Sequence, residues 1–250
     1  MNIKMLQMME LTAKINLYLK DGIMQNETTF YKDDTNMGIS FFESSEKQMI
    51  RLNLEGLGQM FRHLQENGIQ RVFFDANQDF GPWYLEGYHP SWAIACQNGK
   101  GEFIASLKFK KEYQNHLQYI CLCRNKMQND HRTIFENDMY PFFKETLERL
   151  QEIAKKMELH GFERNFRICN DILEGKAVSQ TELWTQNAFV LPQGYRLLAQ
   201  KKVCVMARLM IYGGSGNWDD HPQTSTLKET NDLFRFGLSM LAHAINFEFL

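Results

Sequence analysis

Alternation of apolar and polar residues between positions 70 and 125 is the feature that most restricts the folds open to this 250-residue chain. Such alternation places one kind of side chain on each face of a β-strand, and turn-forming residues separate the segments that show it. The segments are RVFFDA, PWYLEGYH, SWAIACQ, GEFIASLKF and QYICLCR. They predict an antiparallel meander, in which the Asn98-Gly99 pair supplies positive backbone angles for a hairpin.

Helical patterns precede and follow the predicted meander. Apolar residues recur there at spacings of three and four, and Gly68 and Gly161 are expected to end two of the helices. The predicted helices span residues 1–20, 54–68, 138–160, 166–173, 182–187 and 226–245.

The segment QKKVCVMARLMIY, residues 200–212, is predicted to be a long strand. Its apolar residues occupy both alternating positions, which is typical of a strand covered on both faces, and Arg208 is the one charge in its centre. Thr226 and Glu229 then match a capping box, which predicts a C-terminal helix. Because strands cluster between helices, we predict an α+β fold: a largely antiparallel sheet packed with helices, with a long terminal strand followed by a C-terminal helix.

The length and composition suit a single α+β domain over residues 1–250. Hydrophobic residues make up 44% of the chain and charged residues 23%, and only five residues are prolines, so long disordered segments are not expected. The pattern is poor between the first helix and residue 45. The sequence leaves open whether residues 1–45 form a peripheral N-terminal segment of the domain.

Charge and hydropathy exclude several classes of partner. The 28 basic and 30 acidic residues are well mixed and give a net charge of −2, so no surface for nucleic acid is expected. No segment approaches the roughly 18 apolar residues of a membrane-spanning helix, and the N-terminus lacks a signal-peptide cleavage site. A cytoplasmic protein without a membrane partner is therefore predicted.

Five cysteines occur without the C-x-x-C spacing of a zinc site. Their odd number favours reduced thiols over a disulfide framework. Cys121 and Cys123 lie two positions apart in a predicted strand and would face the same side. Small buried core residues are favoured there over a metal pair, because a third and a fourth ligand are missing.

The least ordinary stretch of the chain is YGGSGNWDDH, near the C-terminus. A dinucleotide-binding loop requires a third glycine where Asp219 stands, and a phosphate-binding P-loop requires a lysine that is missing here. A nucleophile elbow around Ser215 requires a glycine where Asn217 stands. Asp219 and Asp220 lack partner ligands at a metal-binding spacing. The stretch predicts a strand exit in which Trp218 packs on the sheet and an aspartate accepts backbone hydrogen bonds.

A second motif with metal-ligand spacing lies in DANQDFGPWYLE. Asp75, Asn77, Asp79 and Glu86 match four ligand positions of an EF-hand calcium loop. Phe80 stands where that loop needs glycine, and the flanking segments are predicted strands instead of helices. An ordinary turn is the favoured interpretation, and the sequence predicts no metal and no cofactor.

The run YGGSGNWDD resembles a C-terminal pattern of the type G-G-x-G-S-W-N-D in small uncharacterised bacterial cytoplasmic proteins, some of them immunity-like proteins encoded beside toxins. The resemblance covers only this run, and it departs from the pattern at Asn217 and Asp219. It implies a compact α+β binding protein without catalytic residues, and it assigns no role to any single residue.

Two functions follow as hypotheses. The first is a non-enzymatic bacterial protein that binds another protein, in its specific form an immunity protein that neutralises a toxin encoded nearby. The lack of a complete catalytic motif and the 19 phenylalanines favour it. The second is a hydrolase or small-ligand protein with its site in the YGGSGNWDDH loop. The binding residues predicted are Ser215, Asn217, Trp218, Asp219 and Asp220.

Overall fold

The structure is a computed structural model that describes residues 3–22, 24, 39–44, 49–52, 54, 56–76, 92–111, 118–123, 138–180, 189–209, 218, 224 and 227–249. Its helices are α1 (Ile3–Asp21), α2 (Gly56–Glu66), α3 (Tyr140–Lys156), α4 (His160–Glu174), α5 (Leu197–Arg208) and α6 (Lys228–Phe247). Its strands are β1 (Ile39–Ser44), β2 (Met49–Leu52), β3 (Ile69–Ala76), β4 (Trp92–Asn98), β5 (Phe103–Lys111) and β6 (Gln118–Cys123).

The strands form one mixed sheet in the order β2-β1-β6-β5-β4-β3. Strands β3 to β6 are antiparallel neighbours in chain order, which confirms the predicted meander over these strands. Strand β1 pairs in parallel with β6 and antiparallel with β2. The sheet is therefore largely antiparallel, and the predicted α+β class is confirmed.

The β4–β5 hairpin forms where it is predicted, but a different glycine makes the turn. Gly101 has a φ of 79°, whereas Gly99 does not take a positive φ. The side-chain Oδ1 of Asn98 accepts hydrogen bonds from the backbone N–H groups of Lys100 and Glu102, both at 2.9 Å. The assignment of the positive angle to Asn98-Gly99 is therefore wrong, because the loop closes through the asparagine side chain and turns later.

One face of the sheet carries a continuous apolar layer that belongs to the same core as the helices. Residues in register on neighbouring strands contribute to it, and all of them are buried. They are Val72, Phe74, Ile94, Cys96, Ala105, Leu107 and Leu122.

Helix α1 lies inside the molecule, where it contacts β3, β4, α2 and α6. Every side chain from Met5 to Tyr18 is buried, including those of Glu10 and Lys14. A helix that is buried on all its faces must have other elements around it. The helix predicted over residues 1–20 is confirmed. Because it is buried, this part of the segment 1–45 is not peripheral.

Helices α3 to α6 form an antiparallel four-helix bundle. Each helix packs against two of the others, and the contacts close a ring in the order α3-α4-α5-α6. Short helix connections favour antiparallel neighbours, as the α3–α4 connection shows. Contacts between the helices agree with this arrangement, and they pair Gln151 with Asn170, Asn165 with Arg208, Lys202 with Glu248, and Phe142 with Phe236.

The predicted long strand over residues 200–212 is wrong, because Leu197–Arg208 forms helix α5. The consecutive residues from Val203 to Ala207 are all buried within the bundle. An apolar run of this kind does not distinguish a buried strand from a buried helix, and only its length favours the helix. Arg208 lies at the last position of α5, where its guanidinium donates to Asn165 at 3.1 Å.

The helix predicted over residues 138–160 is confirmed as α3, but α3 ends at Lys156 and His160 already begins α4. The chain turns at Glu158, which has a φ of 57°, and the N–H of Leu159 donates to the carbonyl of Ala154 at 2.9 Å. This bond is typical of a Schellman motif, in which a left-handed residue just beyond the helix ends it. Gly161 does not end the helix, since it lies in the first turn of α4.

The other predicted helices have mixed outcomes. The helix over residues 54–68 is confirmed as α2, and the short helix over 166–173 is part of α4. The C-terminal helix is confirmed as α6, with Leu227 as its N-cap, while Thr226 lies outside the described residues. No described helix is both long and apolar enough to cross a membrane. The segments at 82–89, 182–187 and 210–212 also lie outside the described residues.

Two asparagine side chains close the outer edge of strand β3. Asn16 of α1 accepts a hydrogen bond from the N–H of Val72 and donates one to its carbonyl, both at 2.9 Å. Asn246 of α6 does the same for Phe74, at 2.8 and 3.1 Å. An edge strand otherwise leaves such backbone groups without partners. The two buried amides therefore take the place of a neighbouring strand.

Replacing Asn246 should destabilise the fold. Asn246→Ala leaves the N–H and the carbonyl of Phe74 buried without partners, at about 1–3 kcal/mol each. The free energy of unfolding should fall by about 2–6 kcal/mol, as measured by urea denaturation. The control is Asn67→Ala, which removes a half-buried bond to the carbonyl of His63 and should cost less than about 1.5 kcal/mol. Equal losses in the two variants would contradict the role of Asn246.

Candidate functional site

Of the five predicted binding residues, the structure describes Trp218, and the side chain of this residue is fully buried. Its ring packs edge-on against Phe162 at 5.3 Å and Phe166 at 5.1 Å, and its N–H donates to the hydroxyl of Thr230 at 2.9 Å. The hydroxyl of Thr224 donates to the Trp218 carbonyl. Trp218 is thus an anchor on helices α4 and α6, and not on the sheet as predicted.

The other predicted site residues lie outside the described part of the chain. These are Ser215, Asn217, Asp219 and Asp220 of the YGGSGNWDDH loop, so a ligand or hydrolase site there stays a prediction.

The motif with EF-hand spacing begins on a strand. Asp75 is buried near the end of β3, whereas Asn77, Asp79 and Glu86 lie outside the described residues. An EF-hand loop follows a helix, and β3 takes that place here. This context favours the interpretation as a turn.

A charged cluster lies where α6 ends; we define it as Asp138, Lys202, His243 and Glu248. Lys202 of α5 has no exposed side-chain surface. Its ammonium donates to Oε1 of Glu248 at 2.5 Å and to Oδ2 of Asp138 at 3.1 Å, and it lies 5.1 Å from the ring centre of Tyr140. A buried ammonium is costly without such partners, so these contacts keep Lys202 inside the bundle.

His243 completes the charged cluster. Its Nδ1 lies 3.6 Å from Oε1 of Glu248, which is too far for a normal hydrogen bond. Within the described residues, Nδ1 of His243 and Oε2 of Glu248 are both buried and have no hydrogen-bond partner. One ligand atom from each of His243, Glu248 and Asp138 lies within 4.8 Å of the others. Imidazole and carboxylate groups so placed can hold a metal ion.

An aromatic cluster adjoins the charged one through Phe247, whose ring centre lies 5.2 Å from that of His243. The guanidinium of Arg71 lies 4.6 Å from the ring centre of Phe73 and 5.4 Å from those of Phe247 and Phe249. Burial lowers the pKa of Arg71, yet an arginine keeps its charge at neutral pH. These cation–π contacts hold the end of α6 against β3.

The last carbonyl groups of α6 receive hydrogen bonds from outside the helix. The hydroxyl of Tyr195 donates to Ile245 at 2.9 Å, and burial raises the pKa of this hydroxyl. Arg71 donates to the carbonyl of Asn246 at 2.8 Å, and the N–H of Arg196 donates to that of Glu248 at 3.1 Å. These donors satisfy a helix end that would otherwise need water, and so they fix the position of the charged cluster.

No sequence motif marks the charged cluster, because Asp138 and Glu248 are more than a hundred positions apart. One signal is present in the sequence. On a helix, Lys202 falls on the same face as Ala199 and Met206, which places a charge among apolar residues. Assigning residues 200–212 to a strand hides this pattern.

Comparison with known proteins gives no match: no family model, curated protein or solved structure is similar to this chain. Functional inference therefore depends on the residues and their geometry.

Lys202 should be needed for stability. Lys202→Met leaves Glu248 and Asp138 without their cation, and breaking a buried ion pair costs about 3–5 kcal/mol. Chemical denaturation at neutral pH measures the loss. The matched control is Lys144→Met, because Lys144 also bridges a carboxylate at 3.1 Å but is partly exposed, and it should cost less than about 1 kcal/mol. A small and equal effect in both variants would show that the Lys202 contacts contribute little.

The described cysteines Cys96, Cys169 and Cys204 are free and buried, which agrees with the expectation of reduced thiols. Cys121 and Cys123 both lie in β6, as predicted. Burial raises the pKa of the Cys169 thiol to about 12, and the nearby charge of Arg208 lowers it in part. The folded state therefore keeps the proton of Cys169 at a pH where the unfolded chain has lost it.

This shift predicts a pH dependence of stability. From about pH 9 to about pH 12 the folded protein binds one more proton at Cys169 than the unfolded chain, so the free energy of unfolding falls as pH rises. In Cys169→Ala the fall should be shallower, as measured by urea denaturation at several pH values. Identical slopes for both proteins would contradict the raised pKa of Cys169.

Proposed function

We propose that this protein binds another protein, through the apolar end of its helical bundle. The apolar end consists of Phe142, Val190 and Leu197, residues that are 52%, 52% and 73% exposed. Elsewhere in the described chain, Met24 is the one other exposed large apolar side chain, at 36%. This exposure of large apolar side chains on segments that meet at one end of the bundle is the observation that carries the proposal, since exposed apolar surface is typical of contact sites.

The three side chains belong to the same end of the bundle. Phe142 lies in the first turn of α3, and Leu197 is the first residue of α5. Asp138, just before α3, pairs with Lys202 of α5, so the beginnings of these two helices are close together. A partner at this end could therefore contact both helices.

Hydrogen bonds hold part of the apolar end in place. The side-chain amide of Gln200, one turn after Leu197, accepts from the N–H of Leu191 at 2.7 Å and donates to the carbonyl of Phe189 at 3.0 Å. The backbone on both sides of Val190 is thereby fixed to α5. A surface that is ordered before binding loses less conformational entropy when the partner arrives.

The remaining part of the surface is aromatic. The exposed ring of Phe142 packs on Phe236 at 5.6 Å, and the guanidinium of Arg235 lies 4.7 Å from the ring centre of Phe236. Aromatic residues and arginine are enriched at the centres of protein interfaces. Complete burial of a large apolar side chain contributes about 1.5–3 kcal/mol, so a partner could gain a useful part of its affinity here.

The specific form of the proposal is an immunity protein that neutralises a toxin encoded nearby. The resemblance of YGGSGNWDD to a pattern in small bacterial immunity-like proteins supports this form. The net charge of −2 favours a partner bound mainly by surface shape and apolar contact over one attracted by a strong electric field.

Leu197→Asp tests the proposal. The change removes an apolar contact and buries a carboxylate in the complex, so the affinity for the product of the adjacent gene should fall at least about tenfold. Isothermal titration calorimetry measures the affinity. The fold should persist, because an aspartate is favourable in the first turn of a helix.

The matched control is Met24→Asp, an exposed apolar residue of the described chain that lies outside the apolar end. It should leave the affinity unchanged. Equal weakening by both substitutions, or no binding of the adjacent gene product to the unmodified protein, would contradict the proposal. Growth of cells that co-express the two proteins tests the toxin-neutralising form separately.

A further inference from the structure

We propose that His243, Glu248 and Asp138 bind a divalent transition-metal ion at the end of α6. This site is independent of the protein-binding proposal, and it departs from the sequence-based expectation that no metal is bound. The argument starts from the two buried atoms of the charged cluster that lack a hydrogen-bond partner within the described residues, Nδ1 of His243 and Oε2 of Glu248.

Buried polar atoms normally have partners, and leaving one without a partner costs about 1–3 kcal/mol. Here two such atoms belong to neighbouring side chains, and Glu248 is only 8% exposed at its side chain. An imidazole nitrogen with a lone pair and a carboxylate oxygen are both acceptors, so they can interact favourably only through a proton or a cation that lies between them. A metal ion would satisfy both atoms at once.

Lys202 does not use these two atoms. Its ammonium bonds to Oε1 of Glu248 and to Oδ2 of Asp138, which leaves Oε2 of Glu248 available to a second cation. Apart from His243, the cluster holds two carboxylates and one ammonium, which sum to a net charge of −1. Glu248 is buried and Asp138 is partly exposed, and an excess of carboxylates over ammonium groups favours a bound cation.

The donor set points to a transition metal more than to magnesium. Imidazole nitrogen suits zinc and its neighbours, whereas Mg²⁺ prefers oxygen ligands and keeps several waters. Tetrahedral ligands about 2.0–2.2 Å from zinc lie about 3.3–3.6 Å from one another. The ligand atoms here lie within 4.8 Å of one another. Side-chain rotations that move these atoms by about an ångström would bring them to the spacing that zinc requires.

Zinc binding by the full chain tests the inference. The protein is treated with a chelator, freed of it, and titrated with Zn²⁺ or with Mg²⁺ by isothermal titration calorimetry. We expect saturable binding of one Zn²⁺ and none of Mg²⁺ at the same concentrations. His243→Asn should lower the Zn²⁺ affinity at least about tenfold, since even residues that only orient a metal ligand give losses of about 10–100-fold.

A matched control is available on the surface. His160 also places its Nδ1 3.6 Å from a glutamate oxygen, that of Glu163, but its side chain is 80% exposed. His160→Asn should leave Zn²⁺ affinity unchanged. Glu248→Gln is the second test variant if His243→Asn does not fold, because the amide oxygen can still accept from Lys202 while the ligand charge is lost.

Three results would overturn the inference: no saturable Zn²⁺ binding by the unmodified protein, an unchanged affinity in folded His243→Asn or Glu248→Gln, or a loss confined to His160→Asn. A rise in melting temperature on adding Zn²⁺ that the unmodified protein shows and His243→Asn lacks would support it, since a ligand stabilises only the state that binds it.

Discussion

The contact between asparagine side chains and the edge of β3 is the constraint on which the rest of the structure depends. Backbone N–H and carbonyl groups at a sheet edge must find partners once they are buried. Asn16 and Asn246 supply those partners from two different helices. This fixes α1 and α6 beside the same strand, and the helices packed on α6 then take their places around it.

Helix α6 joins the two halves of the fold and also carries much of the candidate metal site. It contacts β3 and α1 on the sheet side and α3 and α5 within the bundle. Its last residues include Asn246, which closes the sheet edge, and His243, which faces Glu248. The hydrogen bonds that hold the end of α6 at the sheet edge therefore also position the charged cluster.

The charged cluster carries a cost that the surrounding structure must offset. A fully buried ammonium with two carboxylates contributes little net stability compared with apolar residues of the same size, although removing one partner is strongly destabilising. The orphaned atoms of His243 and Glu248 add to that cost. Retaining such a cluster is easier to explain if the site binds an ion than if it serves packing alone.

The sequence by itself determined the element types wherever a period was clear. Alternation of apolar and polar residues predicted β3 to β6, and apolar spacings of three and four predicted α1, α2 and α6. It also marked Trp218 as an anchor, but not the helices it packs on. It did not settle α5, because the apolar composition of residues 200–212 suits a buried strand as well as a buried helix, and it placed the end of α3 at Gly161 instead of at the left-handed Glu158.

Only the tertiary structure decided which distant residues meet. Asp138, Lys202 and Glu248 have no common motif, and they come together because α3, α5 and α6 share one end of the bundle. The pairing of Asn246 with β3 likewise depends on which strand is left at the edge, and that follows from the strand order. Local patterns encode the preferences of segments, whereas a site of this kind arises from packing between segments far apart in the chain.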